Sequence, residues 1–290
     1  MKAAIIFNQE AGKTGYSSGK LCELLESEIT SDLFRTSSDN INEILEKIRW
    51  KNYDIIIAAG GDGTISAAAV RAVNFKKTLG IIPIGTLNHF AKDLGIPTEP
   101  EKAVYIIKNG KTAFIDTAEV NGNLFLNNSS IGIYTEVVKR KKNELKPGGN
   151  KWAAMIKASL AVFRSIPILE VKIESDEKTI KCKTPFVFVG NNDYKMELFN
   201  MGKRERLDEG KLCIYYLNYK GKIPYLGLLF KALLGKLKQE ENFKVLHSES
   251  VTIYSKKKRP EVSLDGEVTK TDTPLLYRIN PQSLNVFVPD

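Results

Sequence analysis

The sequence has few cysteines and no long hydrophobic run. Its 290 residues include three cysteines, Cys22, Cys182 and Cys213, whose spacing matches no metal-binding motif. No apolar stretch approaches the roughly 18 residues that a membrane-spanning helix needs. The opening MKAAIIFNQEAG is too briefly apolar for a signal peptide. These absences favour a cytoplasmic protein whose cysteines are small buried apolar residues.

The chain also lacks internal repeats and low-complexity segments. Hydrophobic residues make up 42% and charged residues 27%, which are globular proportions and exclude a disordered, collagen-like or coiled-coil chain. At roughly 100–200 residues per domain, the length predicts one large or two medium domains. The formal net charge of +9 predicts an anionic partner: nucleic acid, anionic membrane or phosphorylated ligand.

The N-terminal part alternates strand-like and helix-like patterns. This alternation implies right-handed crossovers and a doubly wound α/β domain, which we assign to residues 1–118. The expected strands are Ala3–Phe7, Asp54–Ala59 and Leu79–Ile84, and the expected helices contain Leu21–Ile29, Ile41–Ile48, Thr64–Phe75, Asn88–Leu94 and Glu99–Lys108.

The remainder, residues 119–290, predicts a β-rich antiparallel domain. It begins with a hairpin whose turn contains Asn121-Gly122, a pair that favours two-residue turns. Helices are expected near Trp152–Arg164 and Tyr225–Lys238. The expected strands are Ile115–Val120, Leu124–Asn127, Ile168–Glu174, Ile180–Val189, Leu212–Leu217, Val251–Tyr254, Leu275–Ile279 and Leu284–Val288.

The segment Gly60-Gly61-Asp62-Gly63-Thr64 lies directly between a buried strand and an Ala-rich helix. At this place in an α/β sheet, glycines let the backbone approach a phosphate, and the helix N-terminus offers free N–H groups. A carboxylate at Asp62 suits such a site if Mg²⁺ lies between it and a polyphosphate. The alternative is a tight turn in which Asp62 caps the helix.

Two further polar loops, Asn8–Lys13 and Gly85–Asn88, follow neighbouring strands. The carboxyl ends of parallel strands share one edge, so these loops and Gly60–Thr64 are expected to converge on a nucleotide site. Taken alone, Asn8–Lys13 could be a plain polar loop. The chain has neither a Walker P-loop nor a Gly-x-Gly-x-x-Gly fingerprint.

The order of these motifs resembles the diacylglycerol kinase catalytic-domain family. The resemblance rests on Phe7-Asn8-x-x-Ala11-Gly12-Lys13, on Gly60–Thr64 and on the segment 82–97, IPIGTLNHFAKDLGIP. It continues in Arg206–Leu212, similar to the family's Leu-Asp-Asp-Gly segment, and in Ser263–Glu267, similar to its Asp-Gly-Glu. The chain looks most like the soluble bacterial lipid-kinase branch, which is related to sphingosine and ceramide kinases.

The resemblance implies a nucleotide domain, a C-terminal β-sandwich and an active site in the cleft between them. It places Asp62 near a catalytic Mg²⁺, makes Glu267 the general base for a lipid hydroxyl, and gives Asp265 a supporting electrostatic role. A second, structural Mg²⁺ would be held by Arg206, Glu209 and Lys211, the first and last through backbone carbonyls. The ATP contacts implied are Asn8, Gln9, Glu10, Ala11, Gly12, Thr36, Gly60, Gly61, Asp62, Gly63, Thr64, Ile65, Ser66 and Thr86.

Spacing adds an expectation for Asp265 and Glu267, which lie two positions apart. In an extended strand they would point to the same side, and an ordinary β-turn is the alternative. His89 departs from the family pattern, since an Asp commonly follows the Asn there. Either Asp62 and Asp116 suffice, or substrate choice has changed; the alternative is that His89 is a plain polar residue at the start of a helix. Glu209 also replaces the usual Asp.

Three basic segments suggest peripheral binding to an anionic membrane: Lys139–Lys142, Lys222–Lys238 and Lys256–Arg259. The alternatives are a helix packed on its own sheet for 222–238 and solvated loops for the others. No basic groove interleaved with aromatic residues favours nucleic acid.

We therefore expect an ATP- and Mg²⁺-dependent kinase acting on a diacylglycerol-like lipid. The alternatives are a phosphotransferase related to NAD kinase or phosphofructokinase, and a catalytically silent nucleotide or phospholipid sensor. The sequence leaves open which lipid is phosphorylated, and it allows a homodimer through an exposed strand edge.

Overall fold

The computed structural model describes residues 1–11, 18–26, 29–37, 39–132, 135, 168–195, 203–218 and 243–290. The chain divides into two compact units: Met1–Thr117 together with Asn280–Asp290, and Ala118–Ile279. The division after Thr117 lies beside the boundary expected at 118. The expected second domain, 119–290, differs from the second unit in its last eleven residues, because Asn280–Asp290 returns to the first unit.

The first unit is an α/β layer with a parallel sheet in the order β2-β1-β3-β4. Val286 extends this sheet by pairing in parallel with Leu79. Between the strands lie helices and one 3₁₀ turn, Trp50–Asn52. The elements are β1 Lys2–Asn8, α1 Ser18–Glu26, β2 Thr30–Thr36, α2 Ile41–Lys47, β3 Ile55–Gly60, α3 Asp62–Phe75, β4 Thr78–Pro83, α4 His89–Asp93, α5 Pro100–Asn109 and the start of β5 Lys111–Val120.

The central strands form because their side chains are apolar on both faces. Every residue of β3 is buried, as expected of a parallel strand covered by helices on both sides. Strand β2 (TSDLFRT) was not predicted, because it is an edge strand whose polar residues break the apolar pattern. The other strands and helices expected between Ala3 and Lys108 are present, with ends shifted by a few residues.

The second unit consists of antiparallel strands. One sheet has the order β14-β13-β10-β7-β16-β17, and a second contains β18, β15, β8 and β9 in that order. After the end of β5, the strands are β6 Asn123–Phe125, β7 Asn128–Gly132, β8 Leu169–Ser175, β9 Thr179–Thr184, β10 Phe186–Asn191, β11 Tyr194–Lys195, β12 Lys203–Arg204, β13 Leu212–Leu217, β14 Phe243–Ser248, β15 Ser250–Ser255, β16 Glu261–Leu264, β17 Glu267–Lys270 and β18 Leu275–Val288.

Both sheets of the second unit contribute to one apolar core. Strand β13 supplies Leu212, Ile214 and Tyr216 to this core, which also includes Val251 from the other sheet. Alternate residues of the same strand pack in a smaller cluster on the opposite face. The predicted fold class, a doubly wound N-terminal domain followed by a β-sandwich-like domain, is confirmed.

Two strand predictions in the second part of the chain are wrong in detail. The expected strand Ile180–Val189 is two strands in different sheets, separated at Pro185, which has no N–H for a ladder. The two strands expected at Leu275–Ile279 and Leu284–Val288 are a single strand, β18, in which Gln282 has a φ of 48°. The helices expected at 152–164 and 225–238 lie outside the described residues.

Candidate functional site

The loops that follow the four parallel strands of the first unit are hydrogen-bonded to one another. The N–H of Gln9, after β1, donates to the carbonyl of Thr36 at the end of β2, with an N···O distance of 3.1 Å. The Asn8 amide donates to the Thr64 hydroxyl at 3.1 Å. The N–H of Ile84 donates to the carbonyl of Gly60 at 3.1 Å. The structure therefore brings together the loops that the sequence placed at one edge.

Glycine is required where two of these loops cross. A Cβ atom on Gly85 would lie 2.4 Å from the Cα atom of Gly61, and one on Gly60 would lie 2.5 Å from the Thr64 side chain. Real Cβ atoms do not approach other atoms this closely. Gly85 therefore allows the loops after β3 and β4 to touch, and Gly60 leaves room for the Thr64 side chain. Here the absence of a side chain serves the contact between the loops.

Asp62 is the first residue of α3 and is half-buried. Its Oδ1 atom accepts a hydrogen bond from the N–H of Phe90, in α4, at 3.3 Å. The N-cap of α3 is Gly61, and no side chain caps the helix. The alternative in which Asp62 caps its own helix is therefore not what the structure shows. Its carboxylate instead connects the starts of α3 and α4.

Asn88 is a residue whose structural part was not foreseen. It is buried in the left-handed conformation, with a φ of 51°. Its amide donates to the carbonyls of Gly85 at 2.9 Å and Pro83 at 3.3 Å, which fixes the loop after β4. Its Oδ1 atom is buried and has no hydrogen-bond partner among the described residues. The loop thus holds a buried oxygen atom beside the Gly61–Gly85 crossing.

The remaining predicted nucleotide-contact residues differ in what they can offer. Thr86, Gln9 and Glu10 are exposed. Ile65 is fully buried and its N–H donates to Gly61 at 3.0 Å, so it serves helix packing. Gly12 lies outside the described residues. The others on these loops are Ala11, which is partly exposed; Thr36, which is buried; Gly63, which is exposed; and Ser66, which is half-buried.

Two further polar residues of this unit are relevant to position 89, where this chain has His and the family commonly has Asp. His89 is exposed and begins α4. Asp116 is 1% exposed, and its Oδ1 atom accepts the N–H of Gln282 at 2.8 Å. Of the two carboxylates that could make up for the missing Asp, Asp116 is therefore buried and Asp62 is half-buried.

In the second unit, Asp265 and Gly266 form the two-residue turn between β16 and β17. Their φ angles are 47° and 87°. The expectation that Asp265 and Glu267 share a side of one extended strand is wrong, because the chain reverses between them. The alternative, a β-turn, describes the shape. Glu267 is exposed at the first position of β17.

The Asp265 carboxylate accepts three backbone hydrogen bonds. The donors are the N–H groups of Leu126, Asn127 and Asn128, at 2.8, 2.8 and 3.2 Å. The N–H of Asp265 in turn donates to the carbonyl of Asn128 at 2.9 Å. The Asp265 side chain therefore holds its own turn against the strand connection 126–128, and Glu267 follows directly after that turn.

Arg204 holds the same connection from its carbonyl side. It is 1% exposed and donates to the Leu126 carbonyl and the Asn127 side chain, each at 2.7 Å, and to the Asn191 carbonyl at 3.2 Å. The guanidinium also lies 5.6 Å from the centre of the Tyr194 ring. Sequence reasoning missed this residue, because nothing in the pattern marks a single arginine as buried.

In the loop expected to hold a second metal, the charged side chains already form ion pairs with one another. Arg206 forms an ion pair with Asp208 at 3.0 Å. The Glu209 carboxylate accepts the N–H of Asp193 at 3.1 Å on one oxygen and lies 3.4 Å from the Lys211 ammonium on the other. A cation at Glu209 would compete with Lys211 for one oxygen, so this donor set does not by itself call for a metal.

The described basic cluster, Lys256–Arg259, is exposed. Lys256 forms an ion pair with Glu170, and Arg259 forms one with Asp272 at 3.2 Å. The basic segments 139–142 and 222–238 lie outside the described residues. Over the part of the chain that the structure describes, no helix is long and apolar enough to cross a membrane.

Both parts of the chain match known protein families. Residues 2–120 match the model of the diacylglycerol kinase catalytic domain, and residues 130–288 match the YegS C-terminal NAD kinase beta sandwich-like domain. An uncharacterized protein of Synechocystis sp. is 31% identical, covering 98% of this chain and 70% of that protein. A diacylglycerol kinase of Bacillus subtilis is 27% identical, covering 92% of this chain and 89% of that protein.

A solved structure has the same fold. The crystal structure of a diacylglycerol kinase from Bacillus anthracis aligns with a TM-score of 0.71 and 21% identity, covering 99% of this chain and 96% of that one. A diacylglycerol kinase of Staphylococcus aureus is 25% identical, covering 92% of this chain and 86% of that protein.

Proposed function

Because the chain belongs to the diacylglycerol kinase catalytic-domain family, and is thus a lipid kinase-like phosphotransferase, we propose that it phosphorylates a diacylglycerol-like lipid. In the proposed reaction, the γ-phosphoryl group of ATP is transferred to a free hydroxyl of the lipid. The products are ADP and the phosphorylated lipid. The proposal names this substrate because the named relatives are diacylglycerol kinases.

The observation that carries the proposal is the hydrogen-bonded meeting of the strand ends in the first unit. The Asn8 amide donates to Thr64 in the first turn of α3, and the N–H of Gln9 donates to the carbonyl of Thr36. A 14-residue helix begins there, and its first turn offers N–H groups and the positive end of the helix dipole. This edge suits the phosphates of a nucleotide.

The residues present fit a Mg²⁺ ion at the same edge. Mg²⁺ prefers oxygen ligands, and the loops offer the half-buried carboxylate of Asp62 and the buried Oδ1 atom of Asn88, which lacks a partner among the described residues. We propose that Asp62 holds the metal. When bound, Mg²⁺ would neutralise charge on the phosphates during transfer.

We propose Glu267 as the general base that takes the proton from the lipid hydroxyl. Its carboxylate is exposed, while the backbone next to it is held rigidly by Asp265. General bases typically contribute a factor of ~10²–10⁴ in rate. Asp265 would act chiefly by keeping Glu267 in place, because its own carboxylate is engaged with three N–H groups.

The second, structural Mg²⁺ is a separate proposal. Arg206 and Lys211 would contribute backbone carbonyls, and Glu209 its carboxylate. The ion pair between Glu209 and Lys211 would have to open for this ligand set to form.

The test is Mg²⁺-dependent transfer of labelled γ-phosphate from ATP to diacylglycerol in mixed micelles. Asp62→Asn and Glu267→Gln are compared with the wild type. Asp39→Asn, an exposed residue before α2, and Glu177→Gln, an exposed residue in the β8–β9 turn, are matched controls. We expect phosphatidic acid from the wild type and both controls, and loss of product in the two site variants.

Other outcomes decide between the alternatives. Phosphorylation of NAD, with none of any lipid alcohol, would overturn the proposal in favour of an NAD kinase-like enzyme. ATP binding with no turnover on diacylglycerol, sphingoid, monoacyl or polyprenyl alcohols would support a silent sensor. Product on one of those alcohols alone would correct the substrate and keep the kinase.

We also propose that the lipid is reached at an anionic membrane surface. The net charge of +9 and the exposed Lys257 and Lys258 support this. Binding to vesicles that contain phosphatidylglycerol should weaken as salt is added, because salt screens exposed charges. Vesicle binding that strong salt leaves unchanged would contradict the proposal.

A further inference from the structure

Three side chains with metal-binding atoms meet in the second unit, and none of them has been given a role above in phosphoryl transfer. They are Asp193, after β10, Cys213 in β13 and His247 in β14. Their ligand atoms all lie within 4.8 Å of one another. The sequence did not indicate the group, because its members come from three separate segments with no motif spacing.

The strand register explains why they meet. Cys213 and His247 are directly opposite each other in the antiparallel pair β13–β14, so their side chains leave the same face of the sheet. On the other side of β13, Cys213 is opposite Gly190. Glycine has no side chain there, and the chain that follows β10 brings Asp193 over the same face.

The Asp193 carboxylate is oriented by its neighbours. One oxygen, Oδ1, accepts the Tyr215 hydroxyl at 2.5 Å and the N–H of Tyr194 at 3.1 Å. The other oxygen, Oδ2, lies 3.7 Å from Nε2 of His247. Outer hydrogen bonds of this kind orient the ligands of metal sites.

The chemistry of the group favours a transition metal over other uses. Cys213 is 0% exposed, so it cannot attack a substrate as a nucleophile. Burial raises the pKa of its thiol to about 12, and a bound metal would displace that proton to solvent. Sulfur, imidazole nitrogen and carboxylate oxygen together suit Zn²⁺, whereas Mg²⁺ and Ca²⁺ select oxygen alone.

The distances and charges also fit. Ligand atoms around a tetrahedral Zn²⁺ are about 3.3–3.6 Å apart, so the group needs only a small contraction from its present spacing. Nearby, Glu209 accepts the Asp193 N–H and pairs with Lys211. With the thiol deprotonated, Cys213, Asp193 and Glu209 would carry three negative charges and Lys211 one positive charge, and a divalent cation balances the sum of these four.

We propose that Asp193, Cys213 and His247 form a three-ligand Zn²⁺ site whose fourth position is open to solvent beside the half-exposed imidazole. The metal would fasten the chain after β10 to the β13–β14 pair and so stabilise the second unit. The site is independent of the proposed kinase function, and its test needs neither ATP nor lipid.

The test is a Co²⁺ titration of chelator-treated full-length protein, since Co²⁺ reports a thiolate ligand by a near-ultraviolet charge-transfer band. We expect that band in the wild type and in Cys182→Ser, a control at the partly buried cysteine of β9. It should be lost in Cys213→Ser. His247→Gln should weaken Co²⁺ affinity by at least about 10-fold, a cost that even outer residues of metal sites carry.

Competition separates this site from an oxygen-ligand Mg²⁺ site. Zn²⁺ should displace Co²⁺ and abolish the band, while excess Mg²⁺ should leave it unchanged. The proposal is overturned if the wild type shows no thiolate band, if the band persists in Cys213→Ser, or if His247→Gln binds Co²⁺ as tightly as the wild type. His247 is exposed, so that variant should fold even if Cys213→Ser does not.

Discussion

Asp62-Gly63 in the first unit and Asp265-Gly266 in the second are the same dipeptide, but their carboxylates have different partners. Asp62 accepts one backbone N–H at 3.3 Å. Asp265 accepts three, two of them at 2.8 Å. The first is therefore available to a cation, while the second is committed to the fold. The surroundings, and not the dipeptide, decide how many backbone N–H groups the carboxylate accepts.

The largest expected effect is on activity and separates the two carboxylates. Asp62→Asn should lower kcat by a factor of ~10²–10³, the usual cost of removing one electrostatic group from a transition state. Its free energy of unfolding should stay within about 0.5 kcal/mol of the wild type, as for substitutions away from the packed core. Kinase assays and urea unfolding measure the two quantities. If Asp62→Asn unfolded at a clearly lower urea concentration than the wild type, Asp62 would also be a stabilising residue, and its predicted difference from Asp265 would be contradicted.

The second prediction concerns stability. Asp265→Ala leaves three N–H groups without their acceptor, and should lower the free energy of unfolding by about 3 kcal/mol. Asp176→Ala is a matched control, because that exposed side chain accepts two long hydroxyl bonds of 3.4 Å from the described residues. Urea unfolding should show almost no change for it. Equal midpoints for both variants would contradict the structural role of Asp265.

The third prediction tests the glycine crossing beside Asp62. Gly85→Ala places a Cβ atom 2.4 Å from backbone and should cost about 2 kcal/mol through overpacking, as well as weaken ATP binding. In Gly61→Ala, the new atom would meet Gly85 Cα at 3.4 Å, which is an ordinary contact. This paired variant should therefore be much milder. Calorimetric ATP titration and thermal unfolding compare the two.

The smallest effect on stability is expected for Arg204, which binds the Leu126 carbonyl and the Asn127 side chain in the segment whose N–H groups Asp265 binds. Arg204→Lys keeps the positive charge but loses the planar fork that reaches three acceptors, at a cost of about 1.5 kcal/mol. Lys203→Arg, at an exposed neighbouring position, should be neutral. Urea midpoints test both. A stable Arg204→Lys would mean that Asp265 alone fixes the turn.

Much of the first unit could be predicted from the sequence because its signals are local. Buried parallel strands such as Ile55–Gly60 are continuous apolar runs, and glycine-rich loops mark their ends. The edge strand Thr30–Thr36 has no such run and was missed. The meeting of Asn8, Thr64 and Gly85 followed from topology, since parallel strands end at one edge.

The second unit was less predictable because its determining contacts join distant segments. Nothing near Arg204 in the sequence indicates that its guanidinium binds Leu126 and Asn127. The split of the expected strand 180–189 depends on Pro185 and on two different sheets. In the same way, the role of Asp265 depends on the segment 126–128, which the motif does not contain.

The return of Asn280–Asp290 to the first unit affects the order in which the molecule can be completed. During synthesis, residues 1–117 leave the ribosome first, yet Val286 beside Leu79 is added only after the whole second unit has been translated. The loops proposed to bind the nucleotide therefore belong to the unit whose synthesis starts first and is completed last. Deleting residues 280–290 should accordingly unfold the N-terminal unit, although the cut is made at the opposite end of the sequence.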